Sequence, residues 1–201
     1  IAENRSFDNL AEAWLEGDHY KWRLMRANGV AEDLVRGPAD PRERFRAFAR
    51  TLPMAPGNPV FLWAHLELLR YFGIREPLCD TSADRIWAAA RERLSGWGCR
   101  DIIRQSGVEA LCTTDDPADD LSWHRRIRKS QEDGSAGAFR TRVRPAFRPD
   151  RAMNLEADGY GDWIDRLASA AGMEGGIGDY AGLQLALSRR MDAFGAEGCR
   201  L

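Results

Sequence analysis

The sequence is poor in the residues that most often carry metal and nucleophile chemistry. It has three histidines, and its four cysteines (Cys79, Cys99, Cys112 and Cys199) show no CxxC spacing, so neither a zinc ribbon nor a redox dithiol is written in it. There is no HxH, no HExxH and no glycine-rich phosphate loop. No apolar run approaches the ~20 residues of a membrane span, and the polar start IAENRS is no secretory signal. The four thiols are expected to be reduced and mostly buried, as in a cytoplasmic protein. Only two of the cations are lysine, Lys21 and Lys129; the rest are arginine. A net charge of −2 excludes a general polyanion binder, and arginine favours bidentate contacts to carboxylate or phosphate, unless its abundance reflects genome composition alone.

What is present is enough for a sizeable core: 201 residues, 44% hydrophobic, with seven tryptophans. The start lacks methionine and the end, GCRL, stops on an apolar residue, so both termini read as internal to a longer protein.

The first 75 residues carry helical signals almost throughout. Ser6 can cap a helix bearing Leu10, Trp14 and Leu15, with Gly17 as its exit. A second helix is predicted over 19–27, stopped at Asn28-Gly29, and Phe45, Phe48 and Leu52 mark another. Asn58-Pro59 is the clearest start, an N-cap residue followed by proline at the first helical position. From about residue 81 helices alternate with short apolar strands. Helices are predicted over 84–94 and 100–105 and a strand over 108–114, after which Asp116 caps a helix beginning at Pro117. A second strand is predicted over 141–147, then helices over 160–171 and 179–197, and the opening of a third strand over 198–201. Strand, helix and strand in succession imply parallel pairing with right-handed crossovers. Three strands at most cannot close an eightfold barrel, so any barrel would be an incomplete arc.

In such architectures the working groups sit at the carboxyl ends of the strands. The first end presents Thr113, Thr114, Asp115 and Asp116, the second Arg148 and Asp150. Acids and an arginine on one rim suit an anionic, hydroxyl-rich substrate, with Arg148 gripping a carboxylate. Asp116 is equally well explained as a helix cap. The run GDHYKWR places His19 beside Tyr20, a proton acceptor and a hydroxyl donor, although a lone histidine near a helix end is more often structural. His65, inside WAHLEL, reads as a buried histidine bonded to backbone or a carboxylate. His124, among Arg125, Arg126 and Arg128, reads as part of a solvated face.

Several long blocks resemble a known family. GDHYKWRLMRANGV (17–30), NPVFLWAHLELLRYFGI (58–74), CTTDDPADDLSWHRRI (112–127), FRPDRAMNLEADGY (147–160) and GLQLALSRRMDAFGAEGCR (182–200) are similar, in order and across essentially the whole chain, to uronate isomerases of the amidohydrolase superfamily. The resemblance implies an α/β fold: a partial, distorted (β/α)8 TIM-type barrel with a large N-terminal helical insertion. Residues 1–78 would form the helical insertion unit and 79–201 the early β/α units. It implies interconversion of D-glucuronate with D-fructuronate and of D-galacturonate with D-tagaturonate by proton transfer through an enediol-like intermediate. His19 and Tyr20 of DHYKWR are then expected at the reacting oxygens, Arg148 of FRPD at the sugar-acid carboxylate or a neighbouring hydroxyl, and Asp115 of TTDDP in substrate binding. The family's divalent metal, zinc in the first instance, is expected to take its ligands from an HxH before Ile1 and an aspartate after Leu201, so no residue of this chain is expected to hold it. The resemblance also implies a uronate as the small-molecule partner, no nucleic acid, no membrane, a cytoplasmic location and a homo-oligomer of the whole protein, with the segment inactive by itself. Phe147 stands where the family often has tryptophan, and the loop 130–139 is long. Two further readings remain: a metal-dependent hydrolase of the same superfamily, and a noncatalytic helical module that binds a sugar acid or a protein.

Overall fold

The computed structural model describes residues 1–199, which form two compact units, Glu3–Gln105 and Ser106 onward. The helix after residue 82 belongs with the first unit, burying Ala83, Ile86, Trp87 and Ala90 in that unit's core.

The first unit is helical: α1 Leu10–Leu15, α2 His19–Ala27, α3 Glu32–Val35, α4 Pro41–Thr51, α5 Pro59–Phe72, α6 Ala83–Leu94 and α7 Cys99–Gln105, with a 3₁₀ turn at Leu52–Met54. Four of the helix starts have a local cause. Asn9, Asp18, Asp40 and Asn58 each turn a side-chain oxygen onto the free backbone N–H groups of the following helix. The cap of α1 is therefore Asn9 and not Ser6, whose backbone bridges Gly98 instead. The helix opened by Asn58-Pro59 runs as far as Phe72 and closes on Gly73 at φ 70°, where Gly73 and Ile74 N–H satisfy the carbonyls of Leu69 and Leu68. The core is built around four aromatic rings. Trp14 lies 6.2 Å from Phe45 and 6.0 Å, edge-on, from Phe48, and Phe45 lies 5.3 Å from Trp87. Full burial of each phenylalanine contributes about 1.5–3 kcal/mol. Arg44, buried among them, ties helix ends together by donating to the carbonyls of Leu15 and Val35 and to Glu16.

The second unit contains β1 Ala110–Asp115, α8 Ser122–Glu132, β2 Arg142–Phe147, α9 Tyr160–Ala170 and α10 Tyr180–Ala196, with a 3₁₀ turn over Pro149–Met153. The strands pair in parallel, as strand–helix–strand order requires, in a register that sets Ala110 opposite Arg142 and Asp115 opposite Phe147. One face, carrying Val143, Pro145 and Phe147, is buried, and Phe147 meets Phe194 of α10 edge-on at 5.1 Å. On the other face Ala110, Cys112 and Thr114 are exposed. The third strand predicted over 198–201 depends on residues 200 and 201, which lie outside the described residues; Cys199 N–H turns back to the carbonyl of Phe194. The architecture is thus α/β, with helices and two parallel strands. Among the described residues no helix is long and apolar enough to cross a membrane.

Candidate functional site

Each unit presents one constellation. In the first unit it is the amino end of α2. Asp18 caps that end, accepting from Tyr20 N–H at 2.9 Å and Lys21 N–H at 3.3 Å, and its second oxygen takes the Lys21 ammonium at 2.6 Å. Burial pushes the Asp18 carboxyl up, but the hydrogen bond and charge of Lys21 with the two backbone donors outweigh it, and the group sits below its ordinary range. Lys21 is only 4% exposed and lies 5.4 Å from the Trp14 ring centroid. Glu67 of α5, bonded to Trp14, shares this environment; burial raises its carboxyl despite the pull of Lys21, and the charge of Asp18 raises it further.

This partly buried pair fixes the first turn of α2, from which His19 and Tyr20 project into solvent with ring centroids 4.3 Å apart. Trp63 of α5 meets the Tyr20 ring edge-on at 6.1 Å, and both rings are about half exposed. The ring is thereby held on one side while about half of the residue stays exposed. Trp63 escaped the sequence reading, although an exposed tryptophan on a helix that is apolar nearly all round is a signal. His65 is bonded to backbone through both nitrogens, as its setting suggested: Nδ1 lies 2.7 Å from the Phe61 carbonyl and Nε2 accepts from Leu78 N–H at 3.0 Å.

In the second unit the constellation is the carboxyl end of the strand pair. Arg148 follows β2 directly. Its backbone N–H donates to the Asp115 carbonyl at 3.0 Å, and its exposed guanidinium bonds Asp150 at 3.0 Å. Asp115 behaves differently. Its side chain is 12% exposed and is occupied within the fold, accepting from Thr113 Oγ1 at 2.7 Å and from Ala146 N–H at 3.2 Å.

Two sequence readings are corrected at this end. His124 does not belong to a solvated face: it is buried with Ile127 on the inner side of α8, its Nε2 lies 2.7 Å from Thr113 Oγ1 and 3.7 Å from Asp115 Oδ1, and its Nδ1 is buried without a hydrogen-bond partner. The three neighbouring arginines hid a residue whose environment is set by helix phase. Asp116 is not a helix cap. Its Oδ1 accepts from Ala118 N–H within its own turn and from the indole of the fully buried Trp163 on α9, and α8 starts later, at Ser122. An aspartate that closes such a turn and one that caps a helix both precede Pro in the same way.

The turn after β1 is held from behind by Arg190 of α10. This buried guanidinium donates to the carbonyls of Pro117, Asp119 and Ala170 at 2.7, 2.7 and 3.0 Å, and burial lowers its pKa without removing its charge. Among the described residues no group of three His, Cys, Asp or Glu side chains could hold a metal ion.

A parallel strand pair joined through a helix places the second unit among α/β folds. The comparisons give the family. The sequence model for glucuronate isomerase matches residues 1–201, and the chain belongs to that family. It is 46% identical over 203 residues to the uronate isomerase of Bacillus licheniformis and 46% identical over 200 residues to that of Caldicellulosiruptor saccharolyticus, covering 100% of this chain and 41% of each relative. The chain therefore spans about two-fifths of the length of the curated relatives it matches. Among solved structures it resembles the uronate isomerase of Thermotoga maritima (TM-score 0.84, 31% identity, 98% of this chain and 42% of that one). It also resembles the glucuronate isomerase of Caulobacter crescentus (TM-score 0.85, 25% identity, 98% of this chain and 41% of that one).

Proposed function

We propose that this chain is part of an aldose–ketose isomerase that interconverts D-glucuronate with D-fructuronate and D-galacturonate with D-tagaturonate. The observation that carries the reading is the match to the glucuronate isomerase family along all 201 residues, in register with blocks that hold His19, Tyr20 and Arg148.

Moving the carbonyl from C1 to C2 removes the proton on C2, delivers a proton to C1, and passes a hydroxyl proton from O2 to O1. The intermediate is enediol-like, and its oxygens need a donor and an acceptor. The Tyr20 hydroxyl supplies a donor to the oxygen whose charge rises, and the His19 imidazole supplies the proton acceptor beside it. Arg148 grips the sugar-acid carboxylate, giving up Asp150 for a charge-assisted pair. Asp115, occupied within the fold, serves the substrate through the strand end it holds. Residues 1–78 form a helical insertion and 79–201 the early β/α units of a distorted (β/α)8 barrel that further strands complete. A divalent metal, zinc in the first instance, takes its ligands from outside this chain. The whole protein works in the cytoplasm as a homo-oligomer, without nucleic-acid or membrane partners.

The test is conversion of D-glucuronate and D-galacturonate by the full-length protein, followed by NMR of the sugar. Appearance of the ketouronates supports the reading. Hydrolysis of a lactone or amide without uronate turnover overturns it in favour of a hydrolase.

A further inference from the structure

Arg148, the proposed carboxylate anchor, is exposed, and its guanidinium pairs with Asp150. An exposed arginine of that kind has many rotamers and a backbone free to shift, so its aim has to come from the strand end beneath it. That end is secured by a line of half-buried hydrogen bonds. The Thr113 hydroxyl has one proton, and the nearest acceptor, Asp115 Oδ2 at 2.7 Å, takes it in preference to the Arg144 carbonyl at 3.3 Å. Thr113 Oγ1 must then accept from His124 Nε2 at 2.7 Å, which puts a proton on Nε2, while the buried Nδ1 has no hydrogen-bond partner. The same Asp115 oxygen accepts the Ala146 N–H, and the Asp115 carbonyl accepts the Arg148 N–H. The order is therefore His124, Thr113, Asp115, then the two backbone amides that flank Phe147.

The unpartnered Nδ1 is informative. A buried polar atom without a partner costs free energy that an apolar residue on the same face of α8 would avoid. Filling space does not require a histidine there; donating to Thr113 does.

We propose that His124 and Thr113 are positioning residues that act through Asp115 to aim Arg148 at the substrate carboxylate. This rests on the isomerase reading for the identity of the substrate, and on geometry alone for the effect on the strand end.

The experiment compares Thr113→Val, which is nearly isosteric but has no hydroxyl, Thr113→Ser, which restores it, and His124→Leu, all in the full-length protein. Two measurements are made: amide hydrogen exchange at Ala146 and Arg148, and steady-state kinetics with D-glucuronate. Thr113→Val and His124→Leu are expected to speed exchange at Ala146 and Arg148 by about tenfold or more, and to leave Arg142, bonded to the Glu109 carbonyl at 2.9 Å, unchanged. KM is expected to rise by about tenfold with kcat changed less than about threefold, since a carboxylate grip acts on ground state and transition state alike. Thr113→Ser returns both measurements to near wild type. Unchanged exchange in Thr113→Val overturns the proposal. So does faster exchange with an unchanged KM, because the line of bonds would then serve folding alone. If the wild-type protein turns over neither uronate, the isomerase reading falls separately, and exchange at Arg148 still decides whether these residues hold it.

Discussion

Lys21 is 4% exposed and its ammonium lies 2.6 Å from the Asp18 carboxylate, so the residue that caps α2 also neutralises the cation buried beneath that helix. Removing the charge of Asp18 leaves Lys21 with a costly buried charge. We expect Asp18→Asn to destabilise the protein by about 1–3 kcal/mol at pH 7, a figure reduced from the fully buried case because Asp18 is partly in water. The folded-state pKa of Asp18 is depressed, so its contribution is complete above about pH 4 and is lost as the pH falls through the folded value. Urea midpoints of wild type and variant should therefore converge as the pH drops below 4.

Glu67, near the same cation, is expected to act with the opposite sign. Its pKa is raised, so its contribution is present below about pH 4 and is lost as the pH rises through the folded value. Glu67→Gln keeps an oxygen for Trp14 and should raise the urea midpoint at pH 7 while leaving it unchanged near pH 4. A lower midpoint at pH 7 would show that pairing with Lys21 outweighs burial.

For the proposed chemistry, Tyr20→Phe removes the hydroxyl and keeps the ring against Trp63. In the full-length protein kcat should fall by about 10²-fold with the fold unchanged by circular dichroism. Arg148→Met should act mainly on KM, raising it by about tenfold or more. Wild-type kinetics in both variants would remove these residues from the site.

Cys79 carries a testable reactivity. Hydrogen bonds from Ser82 and then Thr81 lower its thiol to about 7. Ser82 also donates to the Pro77 carbonyl at 2.7 Å, so Thr81, whose Oγ1 is 3.2 Å from the sulfur, has the less committed proton. Iodoacetamide labelling of Cys79 should show a midpoint near pH 7, where an ordinary thiol is only a few per cent ionised. Thr81→Val should move that midpoint upward. An unmoved midpoint would assign the effect to Ser82.

Arg190→Met fills much of the same volume but leaves the carbonyls of Pro117, Asp119 and Ala170 without their donor. A loss of about 2–4 kcal/mol is expected, with faster proteolysis between 117 and 120. Arg190→Lys should recover only part, since an ammonium cannot span three carbonyls as the guanidinium fork does.

How far the sequence reveals all this depends on the range of the forces involved. The bounds of α2, the start of α5 at Asn58-Pro59 and the strand pair follow from capping groups and periodicity, which act within a few residues. The burial of His124 is fixed by Thr113 and Asp115 on another element, and its own neighbours are arginines that point the other way. Asp116 misleads for the same reason, since its decisive partner is Trp163, 47 positions later. The four-residue α3 has too few turns for any period to register. For the candidate site, His19, Tyr20 and Arg148 emerge from motif resemblance, whereas Trp63, Thr113 and His124 emerge only from three-dimensional proximity.

The two-stranded sheet has a practical consequence for anyone expressing residues 1–201 alone. Among the described residues each strand has a single ladder partner, so main-chain donors and acceptors line its other edge, and Ala110, Cys112 and Thr114 are exposed on one face. Such an edge is a template for any extended peptide, and the nearest supply in a concentrated solution is another molecule of the same chain. Solubility should therefore depend more steeply on concentration than on pH, and Cys112→Lys, in the middle of that exposed face, should do more to keep the sample monodisperse than added salt.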